Sequence, residues 1–209
     1  MIRKWWPEIG AVAGFGALTG ALAAGLFLDV DVAVRDWCDT HQVWLAHFLA
    51  RGMVVLGSGN LVAPAVFVVA VVLAVWRRSV RPVLPVVAAV VLGNLVLVPL
   101  KMLGDRAAPH SPAPEPQLLF HWPPGWSYPS GHAANSVYLY GVLALILGGL
   151  LRPAARRVFR VAVPVLVSVT FVYLGYHWLT DIAAGLLIGV LLDRLLHRIP
   201  WEGATSRRG

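Results

Sequence analysis

Long runs of apolar residues that contain no charged side chain alternate along the chain with short segments rich in arginine, proline and tryptophan. Four such runs contain no Asp, Glu, Lys or Arg: Ile9–Leu28, Gly52–Trp76, Pro82–Leu100 and Val161–Thr180. A run of about 20 apolar residues is long enough for one helix to cross the hydrocarbon layer of a membrane. The pattern therefore predicts membrane-spanning helices.

The apolar segments predict six spans, which use up the length of the chain. We expect them at Ile9–Leu28, Gly59–Trp76, Pro82–Leu100, His132–Leu151, Val161–Tyr176 and Asp181–Leu196. The predicted fold is all-α, a six-helix transmembrane bundle, and residues 1–209 form a single integral-membrane domain.

The segment between the first two spans predicts an amphipathic helix on the outer membrane interface. Its apolar residues recur at helical spacing and acidic residues lie among them. The apolar set is Ala33, Trp37, Trp44, Leu45, Phe48 and Leu49. In the first span, glycines spaced four apart predict close helix packing, within the monomer or between two copies.

Composition and charge narrow the class of protein. The chain is 58% hydrophobic and 13% charged, with a mean hydropathy of +0.73, which excludes an ordinary soluble domain. The single cysteine, Cys38, allows no internal disulfide.

The net charge of +7 reflects topology and not nucleic-acid binding, because thirteen of the 17 lysines and arginines fall on one side of the predicted bundle. The positive-inside rule then predicts cytoplasmic termini, and the nine tryptophans near span ends are typical of an aromatic belt.

Polar residues cluster in three segments at the outer ends of spans: Lys101–Pro109, Tyr128–Ser136 and Thr170–Asp181. In the second segment, Ser130 is predicted to cap the helix that follows. The free N–H groups and positive dipole of such a helix start favour an anion such as phosphate, and His132 in the first turn is a candidate acid.

In the third segment, His177 and Asp181 are four residues apart. They share a face if the helix is continuous, and they still meet if it breaks between them. A carboxylate that orients one imidazole nitrogen makes the other a better nucleophile. Because all three segments lie on the same outer face, Lys101, the helix start, His132 and His177 are predicted to form one catalytic pocket.

These residues resemble the motifs of the type 2 phosphatidic acid phosphatase superfamily, which read K-x6-R-P, P-S-G-H and S-R-x5-H-x3-D. Pro129–His132 and the H-x3-D of His177–Asp181 are complete. The resemblance implies a membrane lipid phosphatase in which His177 becomes a phosphohistidine and Asp181 orients it. It further implies that His132 exchanges protons with the leaving group and water, and that Lys101, Ser130 and Gly131 bind the phosphate. It implies no metal or other cofactor.

Both motif arginines are absent, since their positions fall on Ala108 and Phe171, and Thr170 replaces the preceding serine. We expect Arg106, two residues before Ala108, to turn inward and partly replace them as a phosphate ligand. His110 and His121 in the same outer loop are weaker candidates.

The favoured function is hydrolysis of a lipid phosphate or polyprenyl (di)phosphate at the extracytoplasmic face of the cell membrane. Alternatives are a lipid phosphotransferase and a non-catalytic lipid-phosphate-binding protein, because the arginine clamp is missing. A transporter is less favoured because the ionisable residues lie at one face and not at the midplane. The sequence leaves the head group, the chain preference and the oligomeric state open.

Overall fold

The computed structural model describes residues 5–120 and 125–201, and within these ranges every regular element is helical. The α-helices are α1 (Trp6–Ala23), α2 (Leu28–Thr40), α3 (Trp44–Met53), α4 (Gly59–Arg77), α5 (Val83–Gly104), α6 (Gly131–Ile146), α7 (Pro153–Arg157), α8 (Val163–Tyr173) and α9 (Leu179–Arg198). A 3-10 turn follows α3, and a π-helical turn joins α7 to α8. The six long helical segments, α1, α4, α5, α6, α7–α8 and α9, correspond to the six predicted spans.

Two of the described helices, α4 and α5, are by themselves long and apolar enough to cross a membrane. A third candidate span is the bent pair of α1 and α2, whose axes differ by 88°. The other long segments are either shorter or carry charged residues near their ends.

The first span ends earlier than predicted, at Ala23, because the backbone turns sharply after it. Gly25 and Phe27 both adopt left-handed conformations, with φ of 80° and 66°. Only glycine tolerates such a conformation at little cost, so the Gly25 position fits a sharp bend.

The predicted amphipathic helix is present as two helices, α2 and α3, separated at residues 41–43. Its large apolar side chains face outward and are exposed: Trp37, Trp44, Leu45, Phe48 and Leu49. Asp31 and Cys38 face inward and are buried. An outward apolar surface of this kind fits contact with lipid.

Helices α6 and α9 pack closely at glycines of α9. A Cβ atom on Gly185 would lie 2.3 Å from the Ser130 carbonyl oxygen, and one on Gly189 would lie 2.9 Å from the Ala134 carbonyl oxygen. Small residues spaced four apart allow such backbone contact. Among the first-span glycines, Gly14 packs against α9, where Leu187 Cδ2 would lie 3.5 Å from a Cβ, while Gly10, Gly16 and Gly20 have no described neighbour within 4 Å of that position.

Basic residues gather at the opposite end of the bundle from the start of α6. Arg160 pairs with Asp193 at 2.6 Å, while Arg194 and Arg198 both contact Glu8 of α1. These ion pairs join α9 to α1 and to the π-helical turn before α8.

Candidate active site

Three polar segments meet at one end of the bundle, as the topology predicted. They lie at the end of α5, at the start of α6 and in the connection between α8 and α9. The Ser130 N–H donates to the Asp181 carbonyl oxygen at 3.0 Å, which ties the start of α6 to the first turn of α9. The missing side chain of Gly185 makes this approach possible.

Ser130 caps α6, which confirms the predicted helix start. Its Oγ accepts a hydrogen bond from the Ala133 N–H at 3.3 Å, and the side chain is fully buried. The cap satisfies one of the free N–H groups at this end. His132 lies in the first turn, as expected.

His177 and Asp181 meet at a break between helices. His177 lies in the connection after α8, and Asp181 lies in the first turn of α9. The His177 Nδ1 atom is 3.4 Å from Asp181 Oδ2, a long contact. The same oxygen accepts the Trp178 N–H at 3.1 Å, so Asp181 also caps α9.

Ser127 joins this pair, although the sequence analysis did not single it out. Its Oγ lies 3.0 Å from His177 Nδ1 and 2.5 Å from Asp181 Oδ2, and the residue is 4% exposed. Both of these hydroxyl distances are shorter than the 3.4 Å between His177 Nδ1 and Asp181 Oδ2. The available signal was a small polar residue just before the Tyr128–Ser136 segment, but nothing local relates it to Asp181, 54 positions later.

The hydrogen-bond chemistry assigns the protons in this chain of groups. An ionised carboxylate only accepts, so the single Ser127 hydroxyl proton goes to Asp181. The Ser127 oxygen then accepts from His177, which places the imidazole proton on Nδ1. The Nε2 atom of His177 carries the lone pair.

That Nε2 atom lies 3.1 Å from His132 Nδ1, so the two candidate catalytic imidazoles are in direct contact. Phe171 stacks on the His132 ring with the ring centroids 4.1 Å apart. The stacked ring restricts the positions that His132 can adopt.

Lys101 lies beside the start of α6. Its Cε would be 3.3 Å from a Cβ on Gly131, and its Nζ donates to the Trp126 carbonyl oxygen at 2.5 Å. The predicted cation and the predicted anion-binding helix start are thus adjacent.

The Tyr128 side chain next to them is 1% exposed, and its hydroxyl group bonds Thr19 at 2.7 Å. Burial raises the pKa of the Tyr128 hydroxyl group, which stays protonated.

Arg106 does not lie where the sequence suggested. The side chain is fully buried behind Asp181, with Nη1 2.7 Å from Asp181 Oδ1 and Nη2 2.7 Å from Asp31 Oδ2. Its Nε donates to the Gln117 carbonyl oxygen at 2.8 Å. The guanidinium group is therefore separated from the His132–His177 contact by the carboxylate, and this placement does not support its predicted role as a phosphate ligand.

The remaining candidates lie outside this cluster. His110 pairs with Asp39 at 3.1 Å and is half-exposed, and His121 lies outside the described residues. Trp178 is an exception to the predicted aromatic belt, because it is 1% exposed and packs over Arg106 with its Nε1 bonded to the Ala107 carbonyl oxygen. Residues 5–120 and 125–201 contain no group of three or more His, Cys, Asp or Glu side chains arranged to hold a metal ion.

Comparison with known proteins places this site in a family. The family model described as the PAP2 superfamily matches residues 82–204. This range does not reach Asp31, but it includes the other charged and catalytic candidates at this end of the bundle: Lys101, Arg106, Ser127, Ser130, His132, His177 and Asp181. The chain belongs to the PAP2 superfamily.

Two curated PAP2-like relatives match part of the chain. Phosphatidylglycerophosphatase B of Bacillus subtilis (strain 168) is 38% identical over 72 residues, 32% of this chain and 36% of the relative. Undecaprenyl-diphosphatase of Sulfolobus acidocaldarius is 31% identical over 125 residues, 60% of this chain and 56% of the relative. The matches thus span between about a third and just over half of these relatives' lengths.

The fold also matches a solved structure. The crystal structure of a transmembrane PAP2 type phosphatidylglycerolphosphate phosphatase from Bacillus subtilis superposes with a TM-score of 0.78 at 23% identity. The match covers 92% of this chain and 95% of the other. The protein therefore has the helical fold of this structure, and its helices α4 and α5 are long and apolar enough to cross a membrane.

Phe171 and Ala108, the two positions that the sequence resemblance aligns with motif arginines, have different surroundings. Phe171 is 1% exposed and belongs to an apolar cluster with Ala133, Val167 and Ile182. Ala108 lies in the connection after α5 and is half-buried. The surroundings of Phe171 are therefore mainly apolar.

Proposed function

We propose that this PAP2 protein hydrolyses a phosphate or diphosphate group from a membrane lipid. The observation that carries the proposal is the contact between His132 and the lone-pair nitrogen of His177, whose other nitrogen is held by Ser127 and Asp181. A nucleophile, an orienting carboxylate and a candidate acid in one chain of hydrogen bonds suit phosphoryl transfer. The two curated relatives are named for lipid phosphatase activities, which supports the same class.

In the proposed reaction, His177 Nε2 attacks phosphorus and the bond from phosphorus to the leaving oxygen breaks. His132, protonated on both ring nitrogens in the substrate complex, gives one proton to that oxygen and becomes a neutral imidazole, while the oxygen leaves as an alcohol or a phosphate. Water then attacks the phosphohistidine and gives a proton to His132. The phosphorus–nitrogen bond breaks, and inorganic phosphate and neutral His177 are released.

The phosphate oxygens are proposed to bind Lys101, Ser130 and the Gly131 N–H at the start of α6. A cation and preorganised N–H donors stabilise the charge that develops on the transferring group. For the phosphate to reach His177 Nε2, it must replace the present His132–His177 contact, so His132 is expected to move aside when substrate binds.

The site is proposed to face the extracytoplasmic side. The support is the charge asymmetry, since arginines concentrate at the opposite end of the bundle. In a Cys38→Ser background, a cysteine at Ser111 should react with a membrane-impermeant maleimide in intact cells. The matched cysteine at Ser79, in the loop at the opposite end, should react only after the membrane is opened; the reverse pattern would refute this orientation.

The activity is tested with purified protein and four substrates: phosphatidic acid, diacylglycerol pyrophosphate, phosphatidylglycerophosphate and undecaprenyl diphosphate. Phosphate release from at least one of them, abolished in His177→Ala, is the expected result. No turnover of any, or equal turnover by the variant, contradicts the proposal. Labelled lipid product without matching free phosphate would assign a phosphotransferase, and lipid binding that persists in His177→Ala without any turnover would assign a non-catalytic protein.

A further inference from the structure

Behind the catalytic residues, three charged side chains form a network with no exposed surface. Arg106 lies between Asp31 of α2 and Asp181 of α9, at 2.7 Å from each carboxylate. All three side chains are 0% exposed. Asp31 also accepts the Thr180 N–H at 3.0 Å and the Thr180 hydroxyl at 2.5 Å.

Every nitrogen of the guanidinium group donates to a protein oxygen. Nε bonds the Gln117 carbonyl, Nη1 bonds both Thr180 and Asp181, and Nη2 bonds Asp31. Because the group is planar and its donors form a rigid fork, these partners fix its orientation. Arg106 cannot turn toward a phosphate beside His177 without breaking several buried hydrogen bonds.

The two carboxylate oxygens of Asp181 have different hydrogen-bond partners. Oδ1 accepts from Arg106, while Oδ2 accepts from Ser127 and Trp178 and faces His177. Holding Oδ1 fixes the rotation of the carboxylate plane and therefore the direction of Oδ2. Two carboxylates and one guanidinium together carry one net negative charge. This charge can stabilise the positive charge that develops on the His177 ring.

We propose that Arg106, held by Asp31, is a positioning residue that fixes the Asp181 carboxylate in the orientation that orders His177. The inference rests on the proposed phosphatase function. It differs from a phosphate clamp, because Arg106 acts through Asp181 and not on the substrate.

The kinetic test uses a variant that keeps the buried charge constant. Arg106→Gln alone leaves two unpaired buried carboxylates, which is strongly destabilising. The double variant Asp31→Asn with Arg106→Gln retains the one net negative charge of the wild type. We expect kcat to fall by about 30-fold or more with KM within about threefold, because an orienting residue contributes in the transition state.

A cycle with Asp181→Asn separates positioning from other roles. If Arg106 acts through Asp181, adding the double variant to Asp181→Asn lowers kcat by no more than about threefold further. A rise in KM with unchanged kcat, or losses that multiply in the cycle, would overturn the proposal. Arg35→Gln is the matched control. Like Arg106, Arg35 lies over the Trp178 ring, but it pairs with Asp36 at the surface. The kcat of this variant should equal that of the wild type.

A measurement without substrate keeps the two proposals distinguishable. In protein with 15N-labelled histidine, the His177 signal, assigned by its loss in His177→Gln, should show the Nδ1–H tautomer in the wild type. In the double variant it should show a mixture of tautomers. If the wild type turns over no lipid but the tautomer shifts as expected, the proposed function fails and the positioning role stands; an unchanged tautomer refutes the positioning role. Arg106→Lys, which keeps a charge but not the fork, replaces the double variant if the latter does not fold, with the same outcomes.

Discussion

Removing the Ser127 hydroxyl group tests whether the buried link between Asp181 and His177 contributes to activity. In Ser127→Ala, His177 Nδ1 keeps only its direct contact with Asp181 at 3.4 Å, and Asp181 Oδ2 loses its closest donor at 2.5 Å. The Trp178 N–H still bonds the same oxygen, so the cap of α9 remains.

The expected magnitude follows from these contacts. A hydrogen bond to a charged group contributes about 1.5–3 kcal/mol. The His177 ring gains positive charge when Nε2 bonds phosphorus, so this link strengthens in the transition state. If about 2 kcal/mol is lost there, kcat falls by about 30-fold, since about 1.4 kcal/mol corresponds to a factor of ten.

The assay is phosphate release by the purified variant together with its thermal unfolding. Ser136→Ala is the matched control, because Ser136 is also fully buried and donates one hydrogen bond, to the Ala133 carbonyl oxygen, away from the catalytic histidines. Ser127→Ala should lose about 1.5–3 kcal/mol of stability, because its bond is to a charged carboxylate, and Ser136→Ala should lose about 1 kcal/mol. Only Ser127→Ala should lose activity; a kcat within about twofold of the control would refute the role of the hydroxyl group.

Three further substitutions test the packing and charge around the site. Gly185→Ala should lower the melting temperature and the activity by overpacking the Ser130 carbonyl, at a cost of about 1–3 kcal/mol. Gly16→Ala, which meets no neighbour within 4 Å in helix α1, should lower neither. Phe171→Arg should destabilise the protein and should not restore a phosphate ligand, because it places an unpaired charge in an apolar cluster. The control Phe171→Leu should fold. An arginine variant that is more active than the wild type would refute this expectation. Lys101→Met should raise KM for every lipid phosphate by about tenfold or more, and an unchanged KM would remove Lys101 from the phosphate site.

The helices and the local features of the site follow from the sequence because their causes are local. Charge-free runs of span length predict α4 and α5 to within a few residues. The Ser130 cap is likewise predictable, because the break before an apolar run and the capping hydroxyl group lie within a few positions of each other.

The network behind the site is not predictable in this way, because its partners are far apart in the chain. Asp31 and Arg106 are separated by 75 positions, as are Arg106 and Asp181. In the sequence Asp31 is one of several acidic residues of an outer helix, and only its burial distinguishes it from them. The same holds for Ser127, whose contact with Asp181 depends on how the outer loop packs against α9.

The structure also changes what the missing arginines imply. Sequence resemblance marks Ala108 and Phe171 as empty clamp positions and makes Arg106 the nearest replacement. In the fold, Arg106 is bound by two carboxylates, and Phe171 stacks on His132. Lys101 lies next to the start of α6, so the proposed phosphate site would carry fewer charges than the motif pattern provides.

Rapid quenching with a 32P-labelled lipid substrate shows whether His177 forms a covalent bond to phosphorus. The expected result is a base-stable, acid-labile label that maps to His177 in the wild type and is absent from His177→Ala. Turnover without any such label, or a label that persists in His177→Ala, would contradict the account.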